Sequence, residues 1–70
     1  MEPHDIKLIK FFEYSHLPEH LQGVSKQFYD MAHKINNDWK AQIILDIAEA
    51  TAGMRKLLEA KDCIVRAHIK

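Results

Sequence analysis

Three groups of residues have the chemistry to do something. Five histidines stand at positions 4, 16, 20, 33 and 68. His16 and His20 are spaced i, i+4, as two metal ligands on one helix face would be. His16 precedes Pro18, however, and proline disfavours helical geometry before itself while suiting the first turn after it. No third ligand follows, so these read as surface histidines and no metal is expected. The second group is a single thiol. Cys63 lies within "AKDCIVRA", on a helical face that reads as buried, where a cysteine is an inert core residue rather than a nucleophile. There is no Ser/His/Asp constellation and no glycine-rich phosphate loop. Neither an enzyme nor a cofactor is expected.

The third group is suited to binding. Residues 11–19, "FFEYSHLPE", crowd Phe11, Phe12, Tyr14 and His16 beside a turn. Phe11 and Phe12 read as plugs for the open end of a hairpin. Tyr14 differs, because its ring has a polar tip and stands where the chain must turn. Nucleobases stack on such rings at about 1–3 kcal/mol each; plain packing is the alternative. Ser25 and Lys26 follow on the next element. They could hold a phosphate, Ser25 by its hydroxyl and Lys26 by its charge, or simply form a solvated helix face. Arg66 either pairs with Asp62 at i−4 or, in a symmetric oligomer, joins a ring of arginines able to bind a multi-phosphate anion.

The elements that must position these residues read as all-α. Residues 5–12, "DIKLIKFF", form a short helix that Asp5 could cap. A first long helix runs over 18–35, starting at Pro18, with Ser15 or His16 as a cap and Glu19 in its first turn. Leu21, Val24, Phe28, Met31, Ala32 and Ile35 recur in it at spacings of three and four. Gly23 permits close packing or a bend. "INNDWK" reads as the turn, with Asp38 capping a second long helix over 38–69. Gly53 could mark a close crossing of backbones. A connection of about three residues makes the two long helices an antiparallel hairpin, the second outreaching the first by about ten residues. Ile43/Ile44, Leu57/Leu58 and Ile64/Val65 are adjacent apolar pairs, roughly 100° apart around the axis. One partner helix cannot cover both members of each pair, so further copies of the chain are expected to do so.

Composition bounds the function. A single domain of 70 residues buries only about 60% of its unfolded surface, and domains this small often need disulfides, metal or self-association. One cysteine rules out an internal disulfide. Ten Lys and Arg against ten Asp and Glu leave no basic field for duplex DNA or RNA. No apolar run approaches the ~18–20 residues of a membrane span. "MEPHDIK" lacks the basic and apolar regions of a secretory signal. With one reduced thiol, this points to the cytoplasm.

"FEYSHLP…VSKQFYDMAHKI" followed by "MRKLLEAKDCIVRAHI" resembles a small family of phage-encoded helical hairpins, the anti-CBASS cyclic-nucleotide sponges, whose hairpin is shared with an anti-Thoeris sponge. The resemblance covers about residues 10–69. It implies a compact, non-catalytic homohexamer that holds signalling nucleotides of host defence away from their effectors in the bacterial cytoplasm. It implies that cyclic dinucleotides sit where the N-terminal ends of two protomers meet, with Tyr14 stacking on bases and Lys26 holding phosphates. Gln27 is an equally plausible register for the lysine. It further implies that cyclic trinucleotides occupy separate three-fold pockets, matched here by Arg66. The chain departs from the pattern at Ser15, which separates Tyr14 from His16, and in lacking a tryptophan near Cys63. The alternative is a helical hairpin that docks a partner protein and binds no nucleotide.

Overall fold

A computed structural model describes residues 4–69; Met1–Pro3 of the opening segment "MEPHDIK" fall outside them. The described residues are all helical: a 3-10 helix at Lys7–Phe12, then α1 at Glu19–Lys40 and α2 at Ile47–Ala67. The two long helices pack on each other, and the 3-10 helix packs on both.

The first segment winds tightly for a visible reason. Ile6, Ile9 and Phe12 are spaced by three, and at three residues per turn they eclipse on one face. Ile6 and Phe12 are wholly buried and Ile9 packs against them. Asp5 does not cap this helix; the cap position is Ile6, with no side-chain cap bond. Instead the Ile6 N–H donates to Asn36 Oδ1 at 2.7 Å, and Asn36 Nδ2 donates to Asp5 Oδ1 at 3.0 Å. Lys40 Nζ lies 3.1 Å from the same Asp5 oxygen. These contacts, Asn36 first and Lys40 second, hold the Asp5 carboxyl below its usual pKa. Trp39 Nε1 adds a bond to the His4 carbonyl at 2.8 Å. The segment is thus stapled to the last turns of α1.

That staple explains the largest difference from expectation. The turn is not at residues 36–38. α1 continues to Lys40, because Asn36 is used as a buried tertiary partner and Lys34 pairs with Asp38 one turn on, at 2.8 Å. Trp39 therefore belongs to α1. The connection spans residues 41–46, and the two helices are nearly equal, at 22 and 21 residues. Asp46 rather than Asp38 caps α2, accepting from the Glu49 N–H at 3.1 Å. At the other end of α1, Pro18 is the cap, without help from Ser15 or His16.

The core is narrow. Ile6, Phe12, Ala32 and Met54 form its centre, with Phe28, Ile35, Trp39, Leu57 and Leu58 packed around them. Lys61 occupies a core position on α2. Its ammonium lies 5.9 Å from the centre of the Phe12 ring and donates to the Phe11 carbonyl at 2.9 Å, closing the end of the 3-10 helix. Cys63 is exposed, not buried. A methyl group added at Gly23 or Gly53 would meet nothing within 4 Å, so neither marks a close approach within the protomer. No helix among the described residues is long and apolar enough to cross a membrane.

Candidate functional site

The loop from Glu13 to Pro18 positions the ring cluster. The Leu17 N–H donates to the Tyr14 carbonyl at 3.0 Å, so Ser15 and His16 are the two central residues of a tight turn. Gln22 pins that turn to α1: its Nε2 donates to the Leu17 carbonyl at 2.9 Å and reaches the Ser15 carbonyl at 3.4 Å. Ser15 therefore has a place as a turn residue. Phe12 is buried, as expected of a plug, whereas Phe11 remains half exposed.

Tyr14 turns toward α1. Its ring meets Tyr29 edge to face, centroids 5.1 Å apart at 77°. Tyr29 in turn packs on His33, 4.1 Å away and tilted by 41°. Tyr29 and His33 are spaced i, i+4, so the three rings form a short ladder along the helix. Lys26 is near its lower end, exposed and paired with Asp30 at 2.7 Å. Its ammonium is held above the usual lysine pKa. The bond to Asp30 and that residue's charge are the main causes; Tyr14 and Tyr29 add smaller ones. The fold thus brings two of the expected ligand residues, Tyr14 and Lys26, to one side of α1. The Lys26–Asp30 pair is solvated on both sides and so worth little.

Ser25 does not join them. It is fully buried, and its hydroxyl has no hydrogen-bond partner among the described residues. Leu21, Ser25, Phe28 and Ala32 share one helical stripe, and that stripe faces inward. A phosphate at Lys26 cannot touch the Ser25 hydroxyl in this arrangement.

Arg66 lies elsewhere. It does not pair with Asp62; its Nη2 donates to Cys63 Sγ at 3.4 Å, and Asp62 sits 3.7 Å from Lys61 instead. Arg66 lines a groove of about 210 Å3 together with His16, Leu17, Lys61, Asp62 and Val65. The loop thereby serves two places, Tyr14 toward α1 and His16 with Leu17 toward α2. His16 is thus a groove residue, and among the described residues no three His, Cys, Asp or Glu side chains gather as metal ligands would.

Sequence reasoning missed Tyr29, His33 and Lys61. Tyr29 and His33 were legible in principle, one helical turn apart and beside Lys26. Lys61 gave no such signal, since a lysine on a helix normally reads as solvated. Comparisons with protein families, with characterised proteins and with solved structures returned no match to this chain.

Proposed function

We propose that this protein is a phage-encoded sponge that binds cyclic oligonucleotide immune signals and holds them from their effectors without catalysis. The observation that carries the reading is the Tyr14 ring set edge to face on Tyr29, which stands three residues along α1 from Lys26. A ring held edge-on by a neighbour keeps its face in a fixed orientation for a base. A lysine whose partner among the described residues is an exposed carboxylate is ready for a phosphate. Stoichiometric capture needs only such a preorganised pocket. Tyr14 stacks, Lys26 holds phosphate, and Arg66 serves a second site for cyclic trinucleotides. Assembly into a homohexamer doubles the first set across a two-fold axis and triples the second across a three-fold axis.

Supporting the assembly, Phe11, Met31, Ile43, Leu45, Ile47, Ile64 and Ile69 are all exposed large apolar residues. The test is native mass spectrometry with a panel of cyclic di- and trinucleotides, followed by calorimetry on variants. Tyr14→Ala and Lys26→Ala should each abolish cyclic dinucleotide binding. Tyr29→Ala should weaken it about three- to tenfold, the loss of one edge-to-face contact, and Tyr29→Phe should not. Intact binding in Tyr14→Ala and Lys26→Ala would remove this pocket.

A second reading has its own observation. Ile43 is 70% exposed and Leu45 85% exposed, both at the turn between α1 and α2. A hairpin tip this apolar suits docking to a partner protein without any nucleotide. A monomer whose mass spectrum shows no nucleotide adduct would favour it.

A further inference from the structure

One stripe of α1 holds the segment and the loop that precede that helix. Gln22, Tyr29, His33, Asn36 and Lys40 recur at spacings of seven, four, three and four, so they share a face. Gln22 bonds the Ser15 and Leu17 carbonyls, and Tyr29 takes the Tyr14 ring. Asn36 bonds Ile6 and Asp5, and Lys40 pairs with Asp5. His33 is the member with an unmade bond. Its Nε2 is sealed from water and has no hydrogen-bond partner among the described residues, while its ring lies 4.1 Å from that of Tyr29. A neutral imidazole can carry its proton on Nδ1 and leave Nε2 as a bare acceptor. An imidazolium carries N–H on both nitrogens, which puts a charged donor at the sealed position without an acceptor. That is more costly than a bare neutral acceptor. The charges around His33 do not reverse this. Asp5 on the N-terminal segment attracts an imidazolium, but its carboxylate is already shared by Asn36 and Lys40, and the influence of His33 on it is the smallest. On α1, Lys26 and Lys34 are each paired with an acid one turn on, Asp30 and Asp38. The 3-10 helix carries only cations, Lys7 and Lys10. α2 meets the core with Ala50, Met54, Leu57 and Leu58, none of them charged. The Tyr29 ring face attracts a cation, but that attraction holds only while Nε2 stays sealed.

We propose that His33 is a positioning residue through which protonation controls Tyr14. The neutral imidazole packs on Tyr29 and keeps the three-ring ladder closed. The imidazolium turns its Nε2–H out to water, leaves Tyr29 and frees the Tyr14 ring. Acidification therefore opens the ladder, in the range between about pH 5 and pH 8 where histidine ordinarily changes charge. Asp5, held below the usual carboxylate pKa, stays ionised over that range, and Gln22 does not titrate. Both staples therefore persist, and only the Tyr14 ring is let go. The consequence for ligand binding rests on the sponge reading; the opening of the ladder does not.

The full chain, labelled with carbon-13 and nitrogen-15, is followed by NMR from about pH 8 to about pH 5 without any ligand. The His33 ring resonances report its protonation, and cross-relaxation between the Tyr14 and Tyr29 rings reports the ladder. The cross-peaks should be strong at the alkaline end and fade in step with His33. In His33→Phe, whose ring packs with no nitrogen to seal, they should persist at both ends. His16→Gln, at the other histidine of the loop, should leave the wild-type response intact. The wild-type titration decides the matter even where a variant fails to fold. Cross-peaks that keep their strength while His33 takes its proton would overturn the proposal. So would a His33 that takes none over the whole range, or fading that survives in His33→Phe. Calorimetry with a cyclic dinucleotide is the second arm. Affinity should fall about three- to tenfold between the two ends, the worth of one aromatic contact, and should stay level in His33→Phe. A level affinity in the wild type while the ladder opens would overturn the control of the site by His33. No binding at either end, with the ladder still opening, would uphold the latch and sink the role given to Tyr14 as a stacking ring.

Discussion

Three buried polar residues settle their hydrogen bonds differently. Lys61 reaches the Phe11 carbonyl, and Asn36 both accepts from Ile6 and donates to Asp5. The Ser25 hydroxyl reaches no partner among the described residues. A buried donor or acceptor left without a partner costs about 1–3 kcal/mol, whereas removing the polar atom itself is near neutral. Ser25→Ala should therefore leave stability unchanged or raise it by up to ~1 kcal/mol in urea denaturation. Asn36→Ala should cost about 1–3 kcal/mol, because the Ile6 N–H is then orphaned in the core. A clear loss in Ser25→Ala would mean that the hydroxyl has a partner in solution. The site is legible in sequence to the same uneven degree. Tyr14 and Lys26 stand out as candidates by ring chemistry and charge, and both lie beside Tyr29, Tyr14 by ring contact and Lys26 three residues before it on α1. Ser25 misleads because its residue type suggests surface, while its place on the Leu21–Ala32 stripe puts it inside.

At the scale of elements, the helical pattern of the chain is readable and its central turn is not. "NND" carries turn residues, and Asp38 resembles a cap. The helix runs through them because tertiary bonds to Asn36 and the Lys34–Asp38 pair outweigh local preference. The real signals lie a few residues later. Asp46 followed by Glu49 is a cap with an acid at the third helical position. The end of α1 is closed by a Schellman pattern: Ile43 N–H to Asp38 carbonyl at 2.9 Å and Gln42 N–H to Trp39 carbonyl at 3.0 Å. Gln42 sits at the left-handed position of that motif, with φ of 64°, where glycine is the usual residue. This is why sequence alone hides the turn. Gln42→Gly should raise stability by about 1 kcal/mol by removing the strain of a side chain there. Asp46→Ala should lower it by about 1 kcal/mol through loss of the cap. Thermal denaturation followed by circular dichroism measures both. Destabilisation by Gln42→Gly would show that the turn has another geometry.

For the whole molecule, the question is how so thin a core suffices. The protomer extends over 45 × 19 × 15 Å, and among the described residues the buried apolar ones are Ile6, Phe12, Leu21, Ala32 and Met54. Ile47, Ile64 and Ile69 are left exposed along and just past α2. Self-association would bury this surface, and anything that binds only the folded chain raises its melting temperature with concentration. The wild-type melting temperature should therefore climb over a hundredfold range of protein concentration. A flat profile, with a monomer in sedimentation velocity, would end the hexamer reading and leave the apolar surface to a foreign partner. Gly53 sharpens the test. Within one protomer an added methyl meets open space, so Gly53→Ala should stabilise the dilute chain by up to ~1 kcal/mol through helix propensity alone. If assembly lays a second backbone against that glycine, the same methyl holds the copies apart, and the gain should vanish at high concentration. Gly23→Ala is the companion measurement, for its added methyl also meets open space. A gain that persists at every concentration for both variants would place neither glycine in the contact between copies.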